Sequence, residues 1–229
     1  MMGGQKMNND RYKKQELLAK LTAEYAVSKI VPLQEAYLGS NGGRSAWARA
    51  TLAKLGRLNN SVSISWLSAG EQLFDRWPSE KLVELGGTYE DEERMLRTLE
   101  AVLSLYAIHQ QSSRTRCAFV CQKDESDADC KKSRRQASFA CCCRRIKPDL
   151  DAASGVRRRL VAIETATDFA GVLYGVRGLI RLIKSADAAG SYGLDYYALA
   201  RDLYLLQGSS QARDRVFARW SKDYFATLA

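Results

Sequence analysis

A chain of 229 residues that is 46% apolar, with three prolines and sixteen glycines, has the material for a sizeable helical core and little of what a turn-rich β architecture needs. Its net charge of +9 is uneven: Lys and Arg against Asp and Glu number 14 to 13 over residues 1–112 and 21 to 13 over residues 113–229. No apolar run approaches the roughly 18 to 20 residues of a spanning helix and the start has no hydrophobic signal core, which predicts a cytoplasmic chain with no membrane partner and reduced thiols.

In chain order, residues 1–9 are polar and predict disorder, after which Asp10 can cap a first helix. That helix carries the stripe Leu17, Leu18, Leu21 and Tyr25, and Pro32 should kink or end it. After the loop at Gly39–Gly43, a helix from about Ser45 to Arg57 turns Ala48, Leu52 and Leu55 inward, with Asn59 and Asn60 ending it. Trp66, Leu67, Leu73, Phe74 and Trp77 predict one or two short helices before Pro78, and Gly86–Gly87 marks a turn. Glu90 to Glu93 then place carboxylates in the first turn of a helix bearing Leu96, Leu99, Leu103 and Tyr106.

Between Ser112 and Arg135 the apolar period stops, and the mixed charge of residues 122–132 predicts a mobile insertion. Beyond it, Leu173, Val176, Ile180 and Ile183 form one stripe, Asp195 can cap a helix with Leu199, Leu203 and Leu206, and Ser210 can cap a last helix with Phe217, Trp220 and Tyr224 inward. The fold class is therefore all-α: two helical bundles, residues 10–112 and the basic 135–229, joined by a mobile, cysteine-containing insertion over 113–134.

Catalytic chemistry finds little purchase. No phosphate-loop, dinucleotide, zincin or nucleophile-elbow motif occurs, and the single histidine, His109, near a helix end, reads as a packing residue. The chain is expected to be no enzyme and to carry no cofactor. Cys117, Cys121, Cys130, Cys141, Cys142 and Cys143 keep a zinc-stabilised helical DNA-binding regulator open as an alternative, because four thiolates suffice for a structural site. Their spacing does not give two short-spaced pairs, and small thiols are common buried helix residues.

The cations are more telling. Arg134, Arg135, Arg144 and Arg145, the run Arg157, Arg158 and Arg159, and Arg177, Arg181 and Lys184 make three basic elements in one half. Arg213 and Arg219 add to the last helix, Arg49, Lys54 and Arg57 lie off the core face of the second helix, and Arg201 reads equally as a phosphate contact or a structural ion pair. Several helices of one sign attract polyanions, and arginine suits bidentate phosphate contact. The aromatics sit mostly on apolar stripes, so the expectation is backbone contact without sequence readout.

Ordered motifs carry a resemblance. Ala137-Ser138-Phe139 with Arg144-Arg145-Ile146, Gly155 to Leu160, Val176-Arg177-Gly178-Leu179-Ile180, Leu194-Asp195-Tyr196, Leu199 to Leu203, Arg213 to Val216 and Trp220 to Phe225 follow one another as in a known family, with thinner likeness at Arg49 to Leu55 and Leu105 to Gln110. The chain resembles the small subunit (CasB family) of the type I-E CRISPR Cascade surveillance complex. Cys141 replaces a frequent basic residue, Gly56 a common arginine, and Cys117 to Lys132 look inserted. The resemblance implies crRNA, target DNA, the other Cascade subunits and a second copy of the chain as partners, and a role in holding the guide–target duplex and the displaced strand of the R-loop.

Overall fold

The computed structural model describes residues 2–58, 70, 71, 73–120, 128–187 and 193–226, with residues 2–10 as backbone alone. Ten helices stand among them, and the described residues include no strand: α1 (Met2–Leu38), α2 (Gly42–Leu55), α3 (Ser79–Glu84), α4 (Tyr89–Gln110), α5 (Ala128–Gln136), α6 (Phe139–Ile146), α7 (Ser154–Glu164), α8 (Phe169–Ala186), α9 (Tyr196–Leu206) and α10 (Ser210–Tyr224). The all-α expectation holds.

Local chemistry sets where these helices begin. The side chains of Asn41, Ser138, Asp168, Asp195 and Ser209 each accept a backbone N–H three residues on, while Thr88 and Asp91 form a reciprocal capping box. The last cap is Ser209 rather than the expected Ser210, because Ser209 has extended backbone and Ser210 is already helical.

The structure moves both expected boundaries of α1. The helix begins at Met2, not after a cap at Asp10, since extending a packed helix fixes one residue per hydrogen bond and needs no new nucleus. Nor does it end at Pro32: it runs on to Leu38, because Ile30, Leu33 and Ala36 are buried on either side of the missing N–H and their packing outweighs one lost bond.

Helix α4 is the axis of the molecule. From Ala101 to Ala107 every apolar side chain is at most 1% exposed, so this segment is buried all round, not along one stripe. It packs against α1, α2, α8 and α9, and α1 lies along α9, so helices from both halves of the chain share one hydrophobic core.

Of the expected insertion, residues 121–127 lie outside the described residues, and its two ends are tied down. Ala118 forms an isolated parallel bridge with Leu194, with Phe119 N–H on Leu194 O at 2.9 Å and Leu194 N–H on Cys117 O at 2.8 Å. The buried Gln34 amide accepts Ala118 N–H at 2.7 Å and donates to Ala118 O at 3.1 Å, supplying side-chain bonds where a strand would supply a ladder. Cys130 on α5 is disulfide-bonded, contrary to the expectation of reduced thiols throughout.

Helices α7 and α8 meet at Gly175, where an added Cβ would come within 2.3 Å of Ile163 Cγ1, a buried branched side chain with little room to move. Gly175→Ala is expected to lower stability by about 1–3 kcal/mol through overpacking. A urea midpoint equal to that of the wild type would show that the two helices part without cost.

Candidate nucleic-acid interface

Most of the predicted cations turn out to have internal work. Arg134 pairs with the Asp195 cap at 3.3 Å and lies over the Tyr197 ring, and Arg135 pairs with Asp223 at 3.1 Å. Arg201 takes the ion-pair role, with Nε 3.2 Å from Glu16 Oε2, and Arg219 pairs with the buried Asp202. Arg213 donates to the carbonyls of Leu206 and Ala166 at 3.3 and 3.1 Å, and Arg144 caps the end of α6 through the carbonyls of Lys147 and Pro148. Arg145 is half-buried in a small recess beside Cys142, Ile183 and Asp187.

The α7 run stays on the surface but does not converge. Arg157, Arg158 and Arg159 are exposed and, as consecutive helical residues, point in three directions. Arg159 reaches back to Gly155 O at 3.3 Å, and Arg157 borders a separate slot against Phe217, Trp220 and Tyr224 of α10.

What does converge lies across the end of α4, between α2 and α8, each of which packs on α4. Arg57, Arg181, Lys184, Gln111 and Ser185 line an open groove of about 470 Å³ with Ala53, Gly56 and Ile108, and no carboxylate is among its lining residues. Arg57 and Arg181 are exposed, as are Arg49 and Lys54 on the adjoining α2. Gly56 leaves the groove wall without a side chain.

Lys184 is the pivot of this site. Its ammonium donates to Ile108 O at 2.8 Å and to Gln111 O, satisfying carbonyls left open at the negative end of α4. Burial pushes its pKa down, and burial with the neighbouring Arg181 does the same to half-buried Arg177. Arg181 and Arg177 thus repel each other at one end of the groove, a repulsion that an incoming anion relieves.

The thiols offer no metal site among the described residues, where no three His, Cys, Asp or Glu side chains group as an ion requires. Cys117, Cys141 and Cys142 donate to the carbonyls of His109, Asp223 and Ala137, and burial raises the pKa of each along with that of Cys143. They pack rather than react. No described helix is long and apolar enough to cross a membrane.

Sequence reasoning missed Gln111 and Ser185, whose part in the groove comes only from the approach of α8 to α4. It also missed Tyr174, which is 84% exposed although the helix period set it off the Leu173–Val176–Ile180–Ile183 stripe.

The family model for CRISPR-associated protein Cse2 matches residues 45–225. Among solved structures, the crystal structure of CasB from Thermobifida fusca matches with a TM-score of 0.64, covering 90% of this chain and 98% of that one at 22% identity, a likeness of fold. No curated protein matches.

Proposed function

The chain belongs to the CRISPR-associated protein Cse2 family, and so to the Cascade subunits of CRISPR defence; we propose that it is a non-catalytic subunit that holds nucleic-acid backbone, without sequence readout, in the groove between α2 and α8. The observation that carries this reading is the convergence of Arg57, Arg181 and Lys184 in a groove with no carboxylate among its lining residues. Arg49 and Lys54 extend the positive surface along α2, and a phosphate chain laid there releases its condensed counterions. Within the assembly the bound strands are the crRNA–target DNA duplex and the displaced strand, and the neighbours are other Cascade subunits and a second copy of this chain.

The predicted set narrows accordingly. Arg135, Arg201, Arg213 and Arg219 serve the fold, and Arg49, Lys54, Arg57 and Arg181 meet the phosphates, with Lys184 fixing the groove wall.

The test is salt-dependent binding of the full chain to duplex DNA. Arg57→Glu with Arg181→Glu is expected to weaken binding by at least about tenfold and to lower the slope of log affinity against log salt by about 2, one for each lost phosphate contact. Arg201→Ala leaves that slope alone. An unaltered slope in the double variant removes the groove as the binding site.

A further inference from the structure

On α8 every large apolar side chain is buried or half-buried except one: Tyr174, 84% exposed. It borders an open recess of about 500 Å³ between α4 and α8, whose lining includes Phe169, Leu173, Arg97, Arg177 and Glu100. Tyr174 lies seven residues before Arg181, two turns away on the same face and about 10 Å along the axis. That distance is about three stacked nucleotide repeats of 3.4 Å.

From this placement we infer that Tyr174 is a stacking platform for an unpaired base of a strand whose phosphates rest on Arg181 and the groove beyond it. The inference rests on the phosphate-groove reading above and, of the strands named there, gives the unpaired one a base-stacking contact. A duplex keeps its bases stacked inside, whereas an unpaired strand presents a π-face to any aromatic ring beside its backbone. The neighbours fit this occupant: Phe169 and Leu173 supply apolar wall, and Arg177 supplies positive charge at the rim, where Arg97 is paired with Glu93. The one carboxyl there, Glu100, is pushed up to about 7 by burial, so near neutrality it is partly uncharged and repels a passing phosphate less than an ordinary glutamate does. Stacking on a ring is tolerant of sequence, so it adds affinity without base readout.

The experiment compares short oligothymidylate, the same strand with abasic sites, and duplex DNA, each against the full chain. Tyr174→Ala, a change at an exposed position, is expected to weaken binding of the base-bearing strand about tenfold, to leave duplex affinity and the salt slope unaltered, and to be rescued by Tyr174→Phe. The wild type should bind the abasic strand about tenfold more weakly than the base-bearing one, and Tyr174→Ala should bind both alike. Equal affinity of the wild type for the two strands, or equal losses by Tyr174→Ala on all three probes, overturns the platform. If Arg57→Glu with Arg181→Glu weakens binding while Tyr174→Ala does not, the platform falls and the phosphate groove stands. If the charge variants also bind as the wild type does, both readings fall together.

Discussion

Arg219→Met is expected to unfold in urea with about 3 kcal/mol less stability than the wild type at neutral pH. Its partner Asp202 is buried between α9 and α10, where the carboxylate accepts the Trp220 indole N–H at 2.6 Å and pairs with the Arg219 guanidinium. Removing one member of a buried pair leaves the other without compensation, at a cost of about 3–5 kcal/mol. The lower figure applies here because the Arg219 side chain is itself 35% exposed, and the indole N–H remains.

Proton linkage gives the same variant a second signature. Burial already raises the Asp202 pKa despite Arg219, and loss of the cation raises it further. An acid whose folded pKa is raised costs stability above its unfolded pKa and stops costing it as pH falls and the carboxyl takes a proton. The deficit of Arg219→Met should therefore shrink on acidification, and adding Asp202→Asn should recover most of it at neutral pH. A deficit that is the same at all pH values, or within about 0.5 kcal/mol of zero, removes the buried pair as a fold determinant.

That pair shows where sequence reasoning stops. Arg219 and Asp202 lie 17 residues apart, Arg135 and Asp223 88 apart, and Arg201 and Glu16 185 apart. A helical period tells which residues lie off a core stripe. It does not tell which carboxylate another helix brings beside them. The basic half was legible as a charge excess, but its partition into structural ion pairs and exposed cations depends on contacts between distant elements. The groove needs α2 and α8 both packed on α4 near its end, and no local pattern encodes that.

What was legible was local. Inward-facing Ala48, Leu52 and Leu55 are at most 1% exposed, and the acidic start at Glu90 to Glu93 begins a helix capped by Thr88. Asp195 caps α9 as its spacing suggests. The continuation of α1 past Pro32 and the all-round burial of α4 escaped the sequence for one reason. Both concern helices embedded among several neighbours, where packing outweighs the local rule that holds for a helix with one buried stripe.

The His109→Gln variant isolates the second large effect. His109 ends α4, 2% exposed, with Nδ1 3.1 Å from the Tyr196 hydroxyl, and burial followed by the Lys184 charge lowers its pKa to about 4. The imidazole is thus neutral in the folded state down to about pH 4, while in the unfolded chain it takes a proton near 6.5. Its contribution is complete above about pH 6.5 and is lost as pH falls from there toward 4, by up to about 3 kcal/mol at 1.36 kcal/mol for each pKa unit. Glu100 works in the opposite sense, because its folded pKa near 7 makes the protein less stable as pH rises from 4.5. The total stability curve of the wild type is therefore flatter than either group alone produces, and the difference curve between wild type and His109→Gln is the quantity to measure. That difference should be constant above about pH 7 and move by about 3 kcal/mol in favour of the variant by pH 4; a level difference curve contradicts it. The carbonyl of the preceding residue, Ile108, holds Lys184 in the groove wall. Because the folded chain keeps this imidazole neutral down to about pH 4, duplex binding should not follow the stability loss between pH 6.5 and 4; it should weaken only near pH 4, where protonation of His109 loosens this helix end, and not in His109→Gln.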